Sequence, residues 1–538
     1  MQTGTPPVIL STVSRVDEAL DRQSISRCGP VLWARAHIWL ILSLSMMCAY
    51  FVFGLHMLDI AIANHVGGLA TSIMDGVDSL GLSGKWELQA NLRESRIWMH
   101  MMMWGFWPID GLFSLFFGDT WTTLYLDLVV SLLAVALSGF LVWRYVMDIT
   151  QDERTAFLVA LLFFLLPAAF INTIHWYGQP VFVLLMFALF AMRRGWNWVA
   201  VPLVIWAHGC HPMATPVFFG LAIAAFGPKL PGIPESLMPG VDRESEQARR
   251  SFRFAVALCL VLVIWTAFLV IMSRMGHSSS QRGLLWDFFK GKFDPAVWPL
   301  NMMQAFFFLL PMLLLPLFNL TWLPALGFFL AYVVFGSQGI VTGFLLPGAG
   351  LAAASFGHFL RRFKETTRLK LALSGVVLAV LANLLVPWTV FFPLGAEPLT
   401  GGLFSYHSWH VRPREAAINR MVSEHIPAGT ARCLTTWQIG PSLAGRCDRI
   451  TTLSFPFRRD AYTMREFLNT GDRGRIESGG WDFILVDLHR EHHAEGLDEL
   501  LQRISSFGRW EVVGDTGDAL LFRNTGSVTA SESGPDGR

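Results

Sequence analysis

The stretch HIWLILSLSMMCAYFVFGLHML, residues 37–58, decides how the rest of the chain is read. It is apolar almost throughout and is followed at once by Asp59. A bilayer core is crossed by about 20 apolar residues in a helix. With a polar segment before it, residues 1–36, and no small-residue cleavage site at Met57-Leu58-Asp59, the run is not expected to be a cleavable signal peptide. The run reads as a signal anchor that stays in place.

Working outward, similar runs recur at 121–143, 155–175, 179–192, 197–208, 213–227, 253–273, 297–318, 321–336, 340–359 and 371–393. The sequence therefore predicts an α-helical polytopic membrane protein with about 11 transmembrane helices over residues 37–395. The runs at 179–192, 197–208 and 321–336 are short, as tilted or broken helices would be. Composition agrees. Of 538 residues 53% are hydrophobic and only 15% charged, whereas soluble domains carry about 25% charged residues. Phe (43), Trp (21) and Met (21) are abundant and Tyr (7) is scarce. A net charge of +1 gives no reason to expect a nucleic-acid partner.

Loop charges orient the spans. Basic residues precede the first run (Arg15, Arg22, Arg27, Arg35) and follow the second (Arg144, Arg154) and the fourth (Arg193, Arg194). They recur at 228–252 (Lys229, Arg243, Arg249, Arg250) and before the last run (Arg361, Arg362, Lys364, Arg368, Lys370). With eleven crossings all of these fall on one side, which the positive-inside rule makes cytoplasmic. The expected site is the plasma (inner) membrane, with the 1–36 segment cytoplasmic and the C-terminus outside. Two long loops, 59–120 and 274–296, then lie on the outer face. Within the first, Arg96 to Trp121 is rich in Trp and Met but interrupted by His100, Pro108, Asp110 and Asp119, and reads as interfacial or re-entrant.

From about residue 405 the chain turns polar. Apolar positions at Ala417, Ile418, Met421 and Val422 predict a helix over 414–425. Short apolar runs at 450–454, 481–487 and 510–522, with an amphipathic helix at 495–507, predict a small α/β domain over 405–524. Residues 525–538, rich in Ser, Gly and Asp, read as a disordered tail. Cys28, Cys48, Cys210 and Cys259 lie in or beside apolar segments and read as small buried hydrophobes. Cys433 and Cys447 are the only cysteines of the tail. In an oxidising compartment their spacing would close a loop of about 15 residues.

Candidate chemistry gathers in the outer loops. Asp59 stands where the first span meets the outer surface, and Arg93, Glu94, Arg96, His100 and Asp110 follow in a sparsely charged loop. Such a mixture can hold a phosphate with Arg and deprotonate a hydroxyl with a carboxylate. The bland alternative for Arg93 to Arg96 is a solvated helical turn. Arg274, Arg282, Lys290 and Lys292 lie outside against the positive-inside bias, as a contact to anionic head groups or to the phosphate of a lipid donor would require. His208 and His211, with Cys210 between them, suit a helix break lining a polar cavity, a metal contact or a substrate contact. His175, beside Trp176 and Tyr177, lies near the same outer face.

Leu58-Asp59-Ile60, Met99-His100-Met101, Ile426-Pro427-Ala428-Gly429 and the run from Trp481 to Asp487, apolar with acidic ends, carry a resemblance. In layout the chain resembles the GT-C superfamily of membrane glycosyltransferases, and within it a broad set of uncharacterised bacterial membrane proteins. The resemblance implies a polyprenyl-phosphate-linked sugar as donor, membrane lipids as surroundings, and an extracytoplasmic acceptor. It implies Asp59 as general base, with Glu94 or His100 assisting it or holding a metal, and Arg93, Arg96 and Arg282 on the departing phosphate. His175, His208 and His211 are further candidates for substrate contact. The sequence names no cofactor, a divalent metal being one option. A transporter or lipid flippase, and a non-catalytic scaffold with a partner-binding tail, are the competing readings.

Overall fold

The computed structural model describes residues 30–63, 120–166, 179–210, 246–275, 309–318, 345–385, 413–428, 431–443, 446–453, 480–488 and 497–526, with a few isolated positions between them. It is mostly helical, with one small sheet near the C-terminus.

The helical part comprises α1 (Pro30–Ala36), α2 (Ile38–Ala63), α3 (Thr120–Thr150), α4 (Glu153–Leu165), α5 (Gln179–Arg193), α6 (Asn197–Cys210), α7 (Glu246–Met275), α8 (Leu345–Leu360) and α9 (Glu365–Leu385). α3 and α4 form a hairpin through a tight turn at Gln151, which takes a left-handed φ of 52°. Asp152 caps α4, accepting from the backbone N–H groups of Arg154 (3.1 Å) and Thr155 (3.3 Å). α2, α8 and α9 pack around that hairpin, α5 pairs with α6, and α7 lies against α6. Phe163, Phe182, Phe254 and Phe356 are fully buried at the centre.

Close packing in this bundle depends on small residues. Ala349, Ala352, Ala353 and Ala354 of α8 are buried, and a Cβ at Gly350 would collide with the Phe182 ring. A Cβ at Gly375 of α9 would lie 2.8 Å from the Pro311 carbonyl oxygen, which cannot yield as a side chain could. The outward faces are apolar too. On α9 the buried stripe Ala372, Val376, Ala379 is backed by exposed Leu373, Val377, Val380 and Leu381. On α7 buried Phe254, Leu258 and Leu262 are backed by exposed Val256, Leu260, Val263 and Ile264.

The basic ends of the helices come together. The Leu40 N–H at the start of α2 donates to Glu153 at the start of α4 (3.2 Å). Arg368 near the start of α9 donates to the Thr150 carbonyl at the end of α3 (2.9 Å). Tyr145 and Phe190 meet near the ends of α3 and α5, with ring centroids 6.3 Å apart. At the α5–α6 turn a Cβ on Gly195 would sit 3.1 Å from the Arg250 guanidinium at the start of α7. Arg144, Arg154, Arg194, Arg250 and Arg368 therefore share one end of the bundle.

Three boundaries differ from expectation. α2 continues to Ala63, so the first residues assigned to the loop 59–120 are helical, and Thr120 already belongs to α3. At the end of the 297–318 run, after helical positions at Trp298, Pro299, Met302, Phe306 and Leu309, come two 3-10 turns, Leu310–Met312 and Leu315–Phe318, with φ of 56° at both Leu313 and Leu314 between them. Pro311 and Pro316 explain this, since each lacks an N–H and breaks the α-helical ladder. Cys48 is exposed rather than buried, while Cys210 is buried as expected.

The C-terminal part runs α10 (Pro413–His425), β1 (Ala431–Thr436), a 3-10 segment (Trp437–Leu443), β2 (Cys447–Leu453), β3 (Phe483–Asp487), α11 (Leu497–Ser506), β4 (Trp510–Asp515) and β5 (Ala519–Asn524). The sheet order is β2-β1-β3-β5-β4, with β2, β1 and β3 parallel and β5 antiparallel to both its neighbours. Alternation along the strands serves both faces. Leu434, Ile484, Val486 and Phe522 pack with Leu497, Leu500 and Ile504 of α11. Cys433, Phe483, Leu485 and Leu521 point the other way, into a cluster with Ile418, Met421 and Val422 of α10 that is continuous with the core of the helical bundle. Cys433 of β1 and Cys447 of β2 form a disulfide, with Cα atoms 6.2 Å apart.

Candidate functional site

Asp59 lies in α2, four residues before its end at Ala63. At about 1.5 Å rise per residue it stands roughly 30 Å along the axis from Ile38, at the far end from the basic face. It is a helical residue and not the first residue of a loop. Its side chain is outside the description, and Arg93, Glu94, Arg96, His100, His175, His211 and Arg282 lie outside the described residues. His208 sits in the last turn of α6, 3% exposed, beside buried Ala207, Gly209 and Cys210. Among the described residues no three His, Cys, Asp or Glu side chains converge as a metal site would require.

The structure assembles a second polar group that sequence reasoning did not. The sheet reverses its winding between β1 and β3, and in open α/β sheets ligands bind in the crevice at the carboxyl ends of strands at such a point. Here those ends are Thr436 and Asp487. The Asp487 N–H donates to Thr436 Oγ1 (2.9 Å), which ties the two strand ends together. The Asp487 carboxylate, fully buried, accepts from Arg414 Nη2 at 2.5 Å. Arg414 Nη1 lies 3.5 Å from Glu415 Oε1. One guanidinium thus faces two carboxylates. Three of its atoms are buried without a hydrogen-bond partner: Arg414 Nε, Glu415 Oε2 and, one helical turn on, Asn419 Oδ1.

This cluster lies where the C-terminal domain meets the bundle. Both α10, which supplies Arg414, Glu415 and Asn419, and the 3-10 segment that follows Thr436 pack against α2, the helix of Asp59. Asp487 carried a signal in the sequence, as the acidic end of an apolar run. Arg414 did not, because its partner is 73 residues away. Searched against protein-family models and curated proteins, the chain matches none.

Proposed function

We propose that the chain is a multi-pass membrane glycosyltransferase of the GT-C type, moving a sugar from a polyprenyl-phosphate carrier to an acceptor on the extracytoplasmic side. The membrane part of this reading is supported by the paired stripes on α7 and α9, apolar both inward and outward, with the smaller side chains inside on α9. A helix in water keeps its outer face polar, whereas lipid demands the opposite and favours small residues at helix contacts. Among the described residues Leu132–Thr150 is long and apolar enough to cross a bilayer, and Ile38–Val52 and Pro180–Met192 are shorter apolar helices. The shared basic end supports a cytoplasmic placement of that end. The Cys433–Cys447 disulfide supports an extracytoplasmic C-terminal domain, because such bonds persist in oxidising compartments.

The observation that carries the catalytic part is the position of Asp59. It is an acid at the outer end of an apolar helix, and the soluble domain packs on that same helix. In the proposed reaction Asp59 takes the proton of an acceptor hydroxyl, whose oxygen bonds to the anomeric carbon as the sugar–phosphate bond breaks. Glu94 or His100 assists. Arg93, Arg96 and Arg282 stabilise the departing polyprenyl phosphate, an electrostatic role that grows with the charge on the leaving oxygen. Turnover of a radiolabelled polyprenyl-phosphate sugar by the full chain in vesicles tests this. Asp59→Asn is expected to lower turnover at least 100-fold with unchanged membrane yield, and normal turnover in that variant would refute the assignment.

A further inference from the structure

We propose that the outward face of α7 binds an anionic phospholipid, with the phosphate on Arg249 and Arg253 and the acyl chains along the apolar positions that follow. Arg249, Arg253, Val256, Leu260, Val263 and Ile264 are all exposed. They recur at steps of three and four, Val263 and Ile264 being neighbours, and so share one face of the helix. That face changes character once along its length. It begins with two guanidiniums and continues with Leu260, Val263 and Ile264, which are 59%, 66% and 68% exposed. Val256 to Ile264 spans about 12 Å of helix axis, most of the roughly 15 Å depth of one leaflet's hydrocarbon. A charged head followed by one leaflet of apolar contact is the shape of a phospholipid.

Charge chooses the kind of phospholipid. Like charges four apart on a helix repel. Glu246 lies 3.3 Å from Arg249 and 3.4 Å from Arg250, so one carboxylate is shared between two guanidiniums. Among the described residues Arg253 makes no ion pair and no side-chain hydrogen bond. A phosphate diester accepts from both Arg249 and Arg253, and a headgroup with no ammonium of its own leaves that attraction uncancelled. The neighbouring corner marks the same depth as headgroup level. Between α5 and α6, Trp196 and Trp198 are 49% and 79% exposed, Arg194 lies 5.5 Å over the Trp196 ring, and Gly195 packs against the Arg250 guanidinium. Exposed Trp beside Arg belongs at the membrane–water boundary. A second copy of the chain fits this face less well. Two copies inserted in the same sense would meet at equal depths and set Arg249 and Arg253 against themselves, and membrane helices meet at small residues rather than at Leu, Val and Ile.

The site rests on the membrane reading of the chain and not on the transferase reading. The test titrates the full chain in detergent micelles with phosphatidylglycerol or phosphatidylcholine and counts bound lipid by native mass spectrometry. Phosphatidylglycerol is expected to bind about 25-fold more tightly, about fivefold for each guanidinium. Arg249→Gln with Arg253→Gln should abolish that preference, and Arg249→Lys with Arg253→Lys should keep most of it. Arg253→Gln alone should lower it about fivefold, and carries the test if the double variant does not fold. Arg523→Gln, in the C-terminal sheet, should leave it unchanged. Free glycerol phosphate should not displace the lipid. Carbonate extraction of cell membranes separates the two ways of failing. Release of the chain into the supernatant defeats the membrane reading and the site together. A chain that stays in the membrane but shows no preference, keeps it in the glutamine variants, or gives up the lipid to glycerol phosphate would overturn the site alone.

Discussion

The outer face of α9 and the outer edge of the C-terminal sheet are both surfaces of one chain, yet they obey opposite rules. On α9 the exposed positions are Leu373, Val377, Val380 and Leu381, and the buried ones are mostly alanine. On the β4–β5 hairpin the exposed positions include Glu511 and Arg523, which pair at 3.1 Å, and the buried ones are Trp510, Leu521 and Phe522. The hairpin is ordered by removing apolar area from water. Hydrophobic burial cannot order α9 if its outside is already apolar, so close backbone approach at small residues has to do so. The contrast is what the proposed membrane placement, one chain in two solvents, would produce, and each prediction below attacks that proposal from one side.

The largest effect is expected inside the C-terminal domain. Asp487→Ala removes the fully buried carboxylate that faces the half-buried Arg414 and leaves Glu415 at 3.5 Å as its counter-charge, so the cost is expected at the lower end of the about 3–5 kcal/mol of a buried pair broken from one side. Hydrogen exchange of the β3 amides in the full chain should show the loss, with the bundle helices unaffected. If α2 loses protection as well, the domain and the bundle unfold as one body and the two-solvent division is not a division of stability.

Next comes a charge on the outward stripe. Ile264 is 68% exposed in the middle of α7, and Val512 is 50% exposed on β4. In lipid, Ile264→Arg is expected to cost about 2.5–3.5 kcal/mol, read as lost membrane insertion. In water, Val512→Arg should fall within about ±0.5 kcal/mol. Equal, small effects at the two sites would break the comparison outright.

These positions also show how much was legible from the sequence. The helices came from apolar run length, and α5, α6 and α8 begin or end close to the runs that announced them. The 3-10 turns around Leu313 were not read, although Pro311 and Pro316 stood in the sequence, because an apolar run of sufficient length looks the same whether or not its ladder is broken. The 510–522 run was read as one element and is a hairpin, folded at Thr516 and Gly517, where φ is 78°. The disulfide was accessible because only two cysteines occur in the tail. The Arg414–Asp487 pair was not, since nothing local joins residues 73 apart in the chain. Of the outer-loop candidates, Asp59 is placed on its helix, and the rest lie outside the described residues.

The disulfide gives a third, comparable effect. Cys433 and Cys447 are 14 residues apart and close the β1–β2 crossover. Replacing both by Ala is expected to cost the C-terminal domain about 3 kcal/mol, mainly by freeing the unfolded chain. A reducing agent should reproduce the loss in the wild type and add nothing in the double variant. If reduction destabilises α3 and α4 equally, the bundle depends on the tail for its order.

The smallest effect is expected at the Glu511–Arg523 pair, and its smallness is the point. The two residues face each other across β4 and β5, 57% and 48% exposed, with the Arg Nη2 to Glu Oε2 distance of 3.1 Å. Exposed pairs of this kind contribute about 0.2–1 kcal/mol, because water solvates each partner almost as well alone and holding two long side chains together costs entropy. Salt weakens what remains, with a screening length of about 10 Å at 0.1 M. Glu511→Gln should therefore change the stability of the domain by less than about 1 kcal/mol, and the difference should shrink further on going from low salt to about 0.5 M. Hydrogen exchange of the β4 and β5 amides at the two salt concentrations reads both numbers. A larger, salt-insensitive loss would mean that water does not reach this hairpin, either because another surface covers it or because it rests in the head-group region. The sheet edge would then share the apolar surroundings of α9, and the contrast between the two regions would have to be redrawn at a boundary further along the chain.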